Sequence, residues 1–305
     1  MYDIVIVGAG TAGLTAAVYA RRAEKTVLLI EAKSYGGQII NTPDIENYPV
    51  EAHISGFEFA EKLYGQAKGL GAELISDRAV GLEAKEDGTF SVKTLKGESP
   101  CRAVILATGS ENRKLGLEGE DALVGRGISY CATCDGNFFR GRTVAVNGGG
   151  NTALEDALYL SGIASKVYLI HRRDGFRGEE TTVARLRKKE NVEFILNSRV
   201  TGLIADRRLR AIEITGNDGE KSTLDVNGLF VAVGRIPENQ NFASVIELDQ
   251  SGYAVAGENC RTKTPGVFVA GDNRVKEVRQ LVTAAADGAV AATEAVKYIA
   301  SLQEV

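Results

Sequence analysis

The sequence predicts an α/β fold of two Rossmann-like units, the second inserted in the first. Three observations carry this reading. An apolar run ends in a glycine-rich turn and continues into an Ala-rich segment twice, from Asp3 and again from Thr143, about 140 residues apart. Each copy is followed by an apolar strand that ends in glycine, Val104–Gly109 and Gly228–Gly234. The roughly sixty residues after Asn241 are too few for a third core. They are expected to return and complete the first unit.

Taken in order, the run from Asp3 to Val7 has the near-continuous apolar character of a strand buried on both faces of a parallel sheet. Gly8-Ala9-Gly10-Thr11-Ala12-Gly13 makes the turn, a helix is expected through Ala23, and Thr26–Ile30 reads as the second strand, ending at Glu31. Gly8, Gly10 and Gly13 would let backbone approach a pyrophosphate at a helix N-terminus, and Glu31 would accept from ribose hydroxyls. The motif does not say which dinucleotide. Asp272, on the far side of the chain after the apolar run Val267–Gly271, offers a second contact. A ligand touched by both ends of the sequence is long and retained, which favours FAD over a dissociating nicotinamide.

The second copy runs from Thr143 to Val146, turns through Gly148-Gly149-Gly150 and enters a helix expected to reach Leu160. Alanine, Ala153, holds the third fingerprint position, and polar Asn147 stands where an apolar residue is expected. The following strand, Lys166–Ile170, ends not in an acid but in His171-Arg172-Arg173, with Arg177 beyond. An acid there would repel a 2′-phosphate, whereas arginines bind one, so the residues favour NADPH over NADH.

Between the two copies lies Cys131-Ala132-Thr133-Cys134-Asp135. A structural zinc needs four ligands, and the remaining thiols and imidazoles (Cys101, Cys260, His53, His171) lie in unrelated contexts. Two inert thiols are a further reading. A redox pair accounts for the spacing and for the neighbouring carboxylate, since Asp135 could give or take the proton that exchange requires.

Bulk properties are consistent with this. The 305 residues are 44% hydrophobic with formal net charge -4, which points to no nucleic-acid or anionic-membrane partner. No window reaches the length of a membrane span. The apolar start has no basic leader and is expected to be a strand, not a signal peptide. Four cysteines are too few for a secreted disulfide scaffold, so a reducing cytoplasm is the expected compartment.

The motifs together resemble the low-molecular-weight, bacterial-type thioredoxin reductases, homodimeric FAD enzymes. The resemblance spans nearly the whole chain: GAGTAG at 8–13, GGQ at 36–38, ENYP at 46–49, ATG at 107–109, CATCDG at 131–136, GGGNTA at 148–153, HRRDGFR at 171–177, and GD…RQ from Gly271 to Gln280. It implies two three-layer ββα domains. Residues 1–113 and 242–305 would bind FAD through Gly8, Gly10, Gly13, Glu31, Gly37, Gln38, Asn47, Asp272, Arg279 and Gln280. Residues 114–241 would bind NADPH through Gly148, Gly150, Asn151, Thr152, Ala153, His171, Arg172, Arg173 and Arg177. Cys134 would lie against the flavin, Cys131 would attack the disulfide of thioredoxin or a thioredoxin-like protein, and Asp135 would act as acid/base. The family swings its inserted domain, which places hinges near Lys114–Gly119 and Ile236–Asn241.

The chain departs from the family pattern at Val50 where glycine is usual, in a loop to Ser55 about one residue short, at Asn147, and at Gly178 where alanine is common. Ferredoxin-dependent relatives on the same scaffold have lost the NADPH motifs, both of which stand here. Ferredoxin–NADP reductases lack the thiol pair. Peroxiredoxin-linked relatives carry an extra N-terminal thiol domain, whereas this sequence starts at the flavin motif. A nucleotide-sensing module without redox activity is the non-enzymatic alternative.

Overall fold

A strand with no polar face must be covered on both sides, and the chain meets this requirement twice. The structure, a computed structural model, describes residues 1–42 and 44–302. It divides into one unit of Met1–Glu111 with Ile236–Val305 and another of Asn112–Arg235. Both crossings fall slightly before the boundaries expected at 113 and 241. Asn239 explains the second: it is fully buried, and its amide donates to Gly252 O at 2.9 Å and Asn273 O at 2.7 Å. The crossing segments Ser110–Asn112 and Arg235–Pro237 pair as a two-stranded sheet.

In the first unit, parallel strands lie in the order Glu73–Ser76, Val27–Glu31, Tyr2–Val7, Glu98–Leu106 and Val267–Val269. Strands Phe90–Thr94 and Ala79–Ala84 continue antiparallel from Glu98–Leu106. Alternation along the central strand feeds both faces. Ile4 and Ile6 join Leu14, Leu29, Phe268 and Ile299 beneath the helices, while Val5 and Val7 join Leu28, Val92 and Phe242 on the other side. The two helices Thr11–Arg22 and Leu281–Ser301 pack through small residues, among them Ala12, Ala16, Ala291 and Ala295. A Cβ on Gly288 would stand 2.2 Å from Ala12 O, so these backbones nearly touch.

The returning segment is fastened by a buried charge cluster. Asp287 accepts from Arg274 Nε at 2.8 Å and Nη2 at 2.7 Å, from Lys276 Nζ at 2.8 Å and from Gly271 N at 3.0 Å. Burial by itself would push this carboxyl up, but Arg274 and Lys276 outweigh it and hold the pKa below the usual aspartate value.

The second unit repeats the three layers. Its parallel strands lie in the order Val192–Ile195, Lys166–Ile170, Thr143–Gly148, Gly228–Ala232 and Ile128–Ser129. Helices Asn151–Ser161 and Glu180–Arg187 cover one face with Leu154, Leu160, Val183 and Leu186. The antiparallel sheet Ser198–Ala205, Leu209–Gly216 and Lys221–Asp225 covers the other with Val200, Ile212 and Ile214. The ladder runs unbroken through Asn147, which pairs with Ile170 and Val231, so the polar residue leaves the turn's backbone intact.

Replacing Gly288 with alanine forces the two helices apart. The expected result is a loss of about 1–3 kcal/mol of stability, read from thermal or urea denaturation; an unchanged midpoint would contradict the close approach.

Candidate active site

In the first unit the glycines separate into two jobs. A Cβ on Gly8 would lie 2.3 Å from Ala107 O, and one on Gly13 would lie 1.9 Å from Gly8 O. Both are required by the protein's own packing. Gly10, at the N-cap of Thr11–Arg22, is different: its backbone is extended, and a Cβ there would come no closer than 4.0 Å to Gly36 O and Gly37 Cα. Packing alone does not demand glycine there, and the free N–H groups at the helix N-terminus are what an anion would need.

The other expected residues of this unit gather by direct contacts. Glu31 accepts from Ala9 N and from Lys33 N, each at 2.8 Å, and lines a cleft of about 270 Å³ with Gly8, Thr108, Arg78, Gln240 and Phe242. Gly36, before Gly37, donates to Ala9 O at 2.7 Å, and Gln38 donates to Ser110 O. Asn47 donates to Gln280 Oε1 at 3.2 Å, and Gln280 caps the helix Leu281–Ser301. Gly271, next to Asp272, meets Ala12: a Cβ on it would be 2.9 Å from Ala12 Cβ. Arg279 lies with its Cζ 4.2 Å from the Tyr253 ring centroid, and its Nε is buried without a partner among the described residues. That orphaned donor and the free N–H groups of the helix N-terminus at Gly10 fit a polar, anionic ligand. Val50, in the shortened loop, adopts φ 79° and is fully exposed. It thus occupies the left-handed backbone that glycine would take without strain.

The second unit divides its motif in the same way. A Cβ on Gly148 would strike Ala232 O at 2.4 Å and Ala153 Cβ at 2.6 Å, while one on Gly150 meets nothing within 4 Å. His171 is buried, and its ring lies so close that a Cβ on Gly149 would be 2.1 Å from it. Burial and then the neighbouring Arg177 push this imidazole down, so it supports the turn as a neutral ring stacked on Phe176. The structure thus sets His171 under the glycine turn, apart from the exposed guanidinium groups of Arg172, Arg173 and Arg177. The arginine loop is tied down by Arg177 N donating to Gly149 O at 2.8 Å and Glu179 N donating to Asn151 Oδ1 at 2.8 Å. Gly178 permits this closure, because a Cβ there would be 2.5 Å from Leu154 Cδ1. Thr152 is exposed on the same first turn.

Cys131 and Cys134 are joined in a disulfide with Cα atoms 5.3 Å apart. The edge strand Ile128–Ser129 delivers them. It runs parallel to Gly228–Ala232 and thence to Thr143–Gly148, so its C-terminal end points the same way as the strand end that carries the glycine turn. Ser129 organises the turn: its Oγ accepts from Cys131 N at 3.1 Å and donates to Asp135 Oδ2 at 2.6 Å. Burial pushes the Asp135 carboxyl above the usual aspartate value, opposed by that Ser129 bond.

The description "Pyridine nucleotide-disulphide oxidoreductase" matches residues 2–289. The thioredoxin reductase of Listeria innocua is 43% identical over 309 residues, covering 100% of this chain and 96% of its own. That of Bacillus subtilis is 41% identical over 308 residues, with 100% and 96% covered. The crystal structure of thioredoxin reductase from Streptococcus pyogenes superposes with a TM-score of 0.93 at 38% identity over 99% of each chain. The chain belongs to the thioredoxin reductase family.

For a thioredoxin reductase, two features of this site escape the motifs. Ser129 precedes the thiols and gives no signal of its own. Asp156 lies on helix Asn151–Ser161 one turn after buried Ala153 and one turn before buried Leu160. A carboxylate at that register of an apolar stripe is a readable anomaly. The other two thiols have no such setting. Cys101 and Cys260 are buried, and burial pushes each up to about 12.

Alkylation with iodoacetamide after mild dithiothreitol treatment should therefore label Cys131 and Cys134 alone, with Cys101 and Cys260 silent until the protein is denatured. Mass spectrometry of the native and unfolded protein checks this; native labelling of either buried thiol would contradict it.

Proposed function

We propose that this reductase carries electrons from NADPH through FAD to the Cys131–Cys134 pair and on to the disulfide of thioredoxin or a thioredoxin-like protein. The observation that supports it most is the seating of a disulfide-forming pair against the helix that follows the second glycine turn, with three exposed arginines in the loop after the next strand. FAD is proposed at Gly8, Gly10, Gly13, Glu31, Gly37, Gln38, Asn47, Asp272, Arg279 and Gln280. When bound, the flavin supplies a centre that takes a hydride from the nicotinamide and gives electrons to a disulfide. NADPH is proposed at Gly148, Gly150, Asn151, Thr152 and Ala153. Arg172, Arg173 and Arg177 would take its 2′-phosphate, and His171 would hold the turn.

The chain's own residues then perform thiol–disulfide exchange. The Cys131 thiolate attacks one sulfur of the substrate disulfide, forming a mixed disulfide and releasing the other sulfur as thiolate. Cys134 attacks Cys131 Sγ, the internal disulfide re-forms, and the substrate leaves as a dithiol. Asp135, held by Ser129, supplies the proton that the departing thiolate takes up. The relatives named above are bacterial enzymes, and no helix among the described residues is long and apolar enough to cross a membrane. The cytoplasm is proposed as the reductase's site of action because four cysteines in 305 residues suit a reducing compartment. Val278, Val282, Val290 and Leu302, exposed on and beside the helix Leu281–Ser301, support a homodimer.

Cys131→Ser should abolish NADPH-dependent reduction of thioredoxin while leaving flavin reduction by NADPH intact under anaerobic conditions. Retained disulfide reduction would refute the thiol assignment. Replacing both Arg172 and Arg173 with alanine should raise KM for NADPH by at least about ten- to a hundred-fold, the loss expected of a single charge-assisted bond worth about 1.5–3 kcal/mol. The KM for NADH should hardly change. Equal effects on both nucleotides would refute the phosphate pocket.

A further inference from the structure

The thiols hang from a short support. Ile128–Ser129 is an edge strand of two residues, in register with Leu229 and Phe230 on one side only. So brief a ladder is a slender anchor for two sulfurs that must meet at bonding distance. Side chains supply the rest. Ser129 does so from within the turn, through Cys131 N and Asp135.

Tyr130, directly before Cys131, does so from the other face of the sheet. Its ring packs beside Leu115 and Leu117 on the core that holds Leu123, Ile128 and Leu229. Ala132, directly after Cys131, belongs instead to the core beneath helix Asn151–Ser161. The Tyr130 hydroxyl donates to Glu120 Oε1 at 2.8 Å. Burial and then the Glu120 bond push this phenol above its ordinary value, so it stays a donor through the neutral range.

Glu120 is only 2% exposed, and a buried carboxylate is costly unless its oxygens are used. Here Oε1 also accepts from Leu115 N at 2.9 Å, while Oε2 accepts from Gly116 N at 2.8 Å and Leu117 N at 3.3 Å. Those backbone donors, with Glu120 N donating back to Leu117 O at 3.2 Å, close the loop from 115 to 120. The tyrosine bond is the one that reaches out of the loop, to the residue beside Cys131.

We propose that Tyr130 is a positioning residue for the redox pair, latching the thiol turn to the buried carboxylate of Glu120. The inference rests on the assignment of Cys131 and Cys134 as the working thiols. Its consequence is greatest in the reduced state. The closed disulfide staples the turn by itself. Once it opens, Cys131 is held through its neighbours, Ser129 bonding Cys131 N and Tyr130 bonding Glu120. Losing the second tether lets the sulfurs drift apart and lowers their effective concentration toward each other. The pair then closes less readily after reducing a substrate.

The test compares Tyr130→Phe, which keeps the ring and removes the hydroxyl, with Tyr168→Phe. Tyr168 packs on the same core but lies on strand Lys166–Ile170, separated from Ile128–Ser129 by two strands. Both variants are used flavin-loaded, with thermal midpoints confirming that each is folded. In Tyr130→Phe, single-turnover reduction of thioredoxin by the prereduced enzyme should slow about tenfold, the lower end for a hydrogen bond to a charged group. Anaerobic flavin reduction by NADPH should be unchanged. In a glutathione buffer the enzyme dithiol passes two electrons to glutathione disulfide, giving the internal disulfide and two glutathione thiols. The constant for that exchange should fall by a similar factor, which a merely structural role would not move. Tyr168→Phe should match the native enzyme in all three. The proposal is overturned if Tyr130→Phe equals the native enzyme in turnover or in the exchange constant, if its flavin reduction slows equally, or if Tyr168→Phe reproduces the losses. Cys131→Ser separates the two readings. If it is inactive while Tyr130→Phe behaves as native, the latch falls and the thiol assignment stands; if it stays active, the assignment itself falls.

Discussion

Everything chemical in this chain hangs on backbone approaching backbone at a strand–turn–helix junction more closely than a methyl group would allow. A Cβ on Gly13 would stand 1.9 Å from Gly8 O, and one on Gly148 would stand 2.4 Å from Ala232 O. These contacts press each helix onto its strand and aim its N-terminus at a fixed point. Only because the outer positions are closed does the middle one matter. A Cβ on Gly10 would make only ordinary contact and one on Gly150 would meet nothing within 4 Å, so room remains at helix N-termini where N–H groups converge and an anion is favoured.

The same demand for closeness recurs where the chain returns to the first unit. Gly288 lets the terminal helix lie against Thr11–Arg22, and Asp287, one residue earlier, binds Arg274, Lys276 and the N–H of Gly271. A buried carboxylate without partners would be costly, so the cluster specifies one docking of residues 271–287. That docking brings Gly271 to Ala12, and Asp272 with it, to the front of the first glycine turn.

In the second unit the helix Asn151–Ser161 serves two neighbours. Its N-terminus faces the open position at Gly150, and its middle seats the thiol turn through Ala153, Ala157 and Leu160. The thiols are thus placed by the same element that orders the glycine turn. Asp135, whose proton affinity is raised by burial, is held by Ser129 in the turn that carries the thiols.

The sequence by itself determined the strands, the two turns, the disulfide-forming pair and the family. Continuous apolar runs, glycine spacing and the contrast of Glu31 with His171-Arg172-Arg173 are local signals, carried by neighbours along the chain. Strand Lys166–Ile170 appears where its apolar pattern puts it, and the helix expected to reach Leu160 ends at Ser161. Tertiary structure decided what local signals cannot carry. His171, grouped by sequence with the arginines, is drawn under Gly149 because its ring fills a gap left by a residue without a side chain. Gly178, a departure in sequence, is the residue that lets the arginine loop close on Asn151. Hydrogen-bond partners, burial and proton affinity depend on which elements fold against each other, and that is a property of the packed chain, not of any stretch of it.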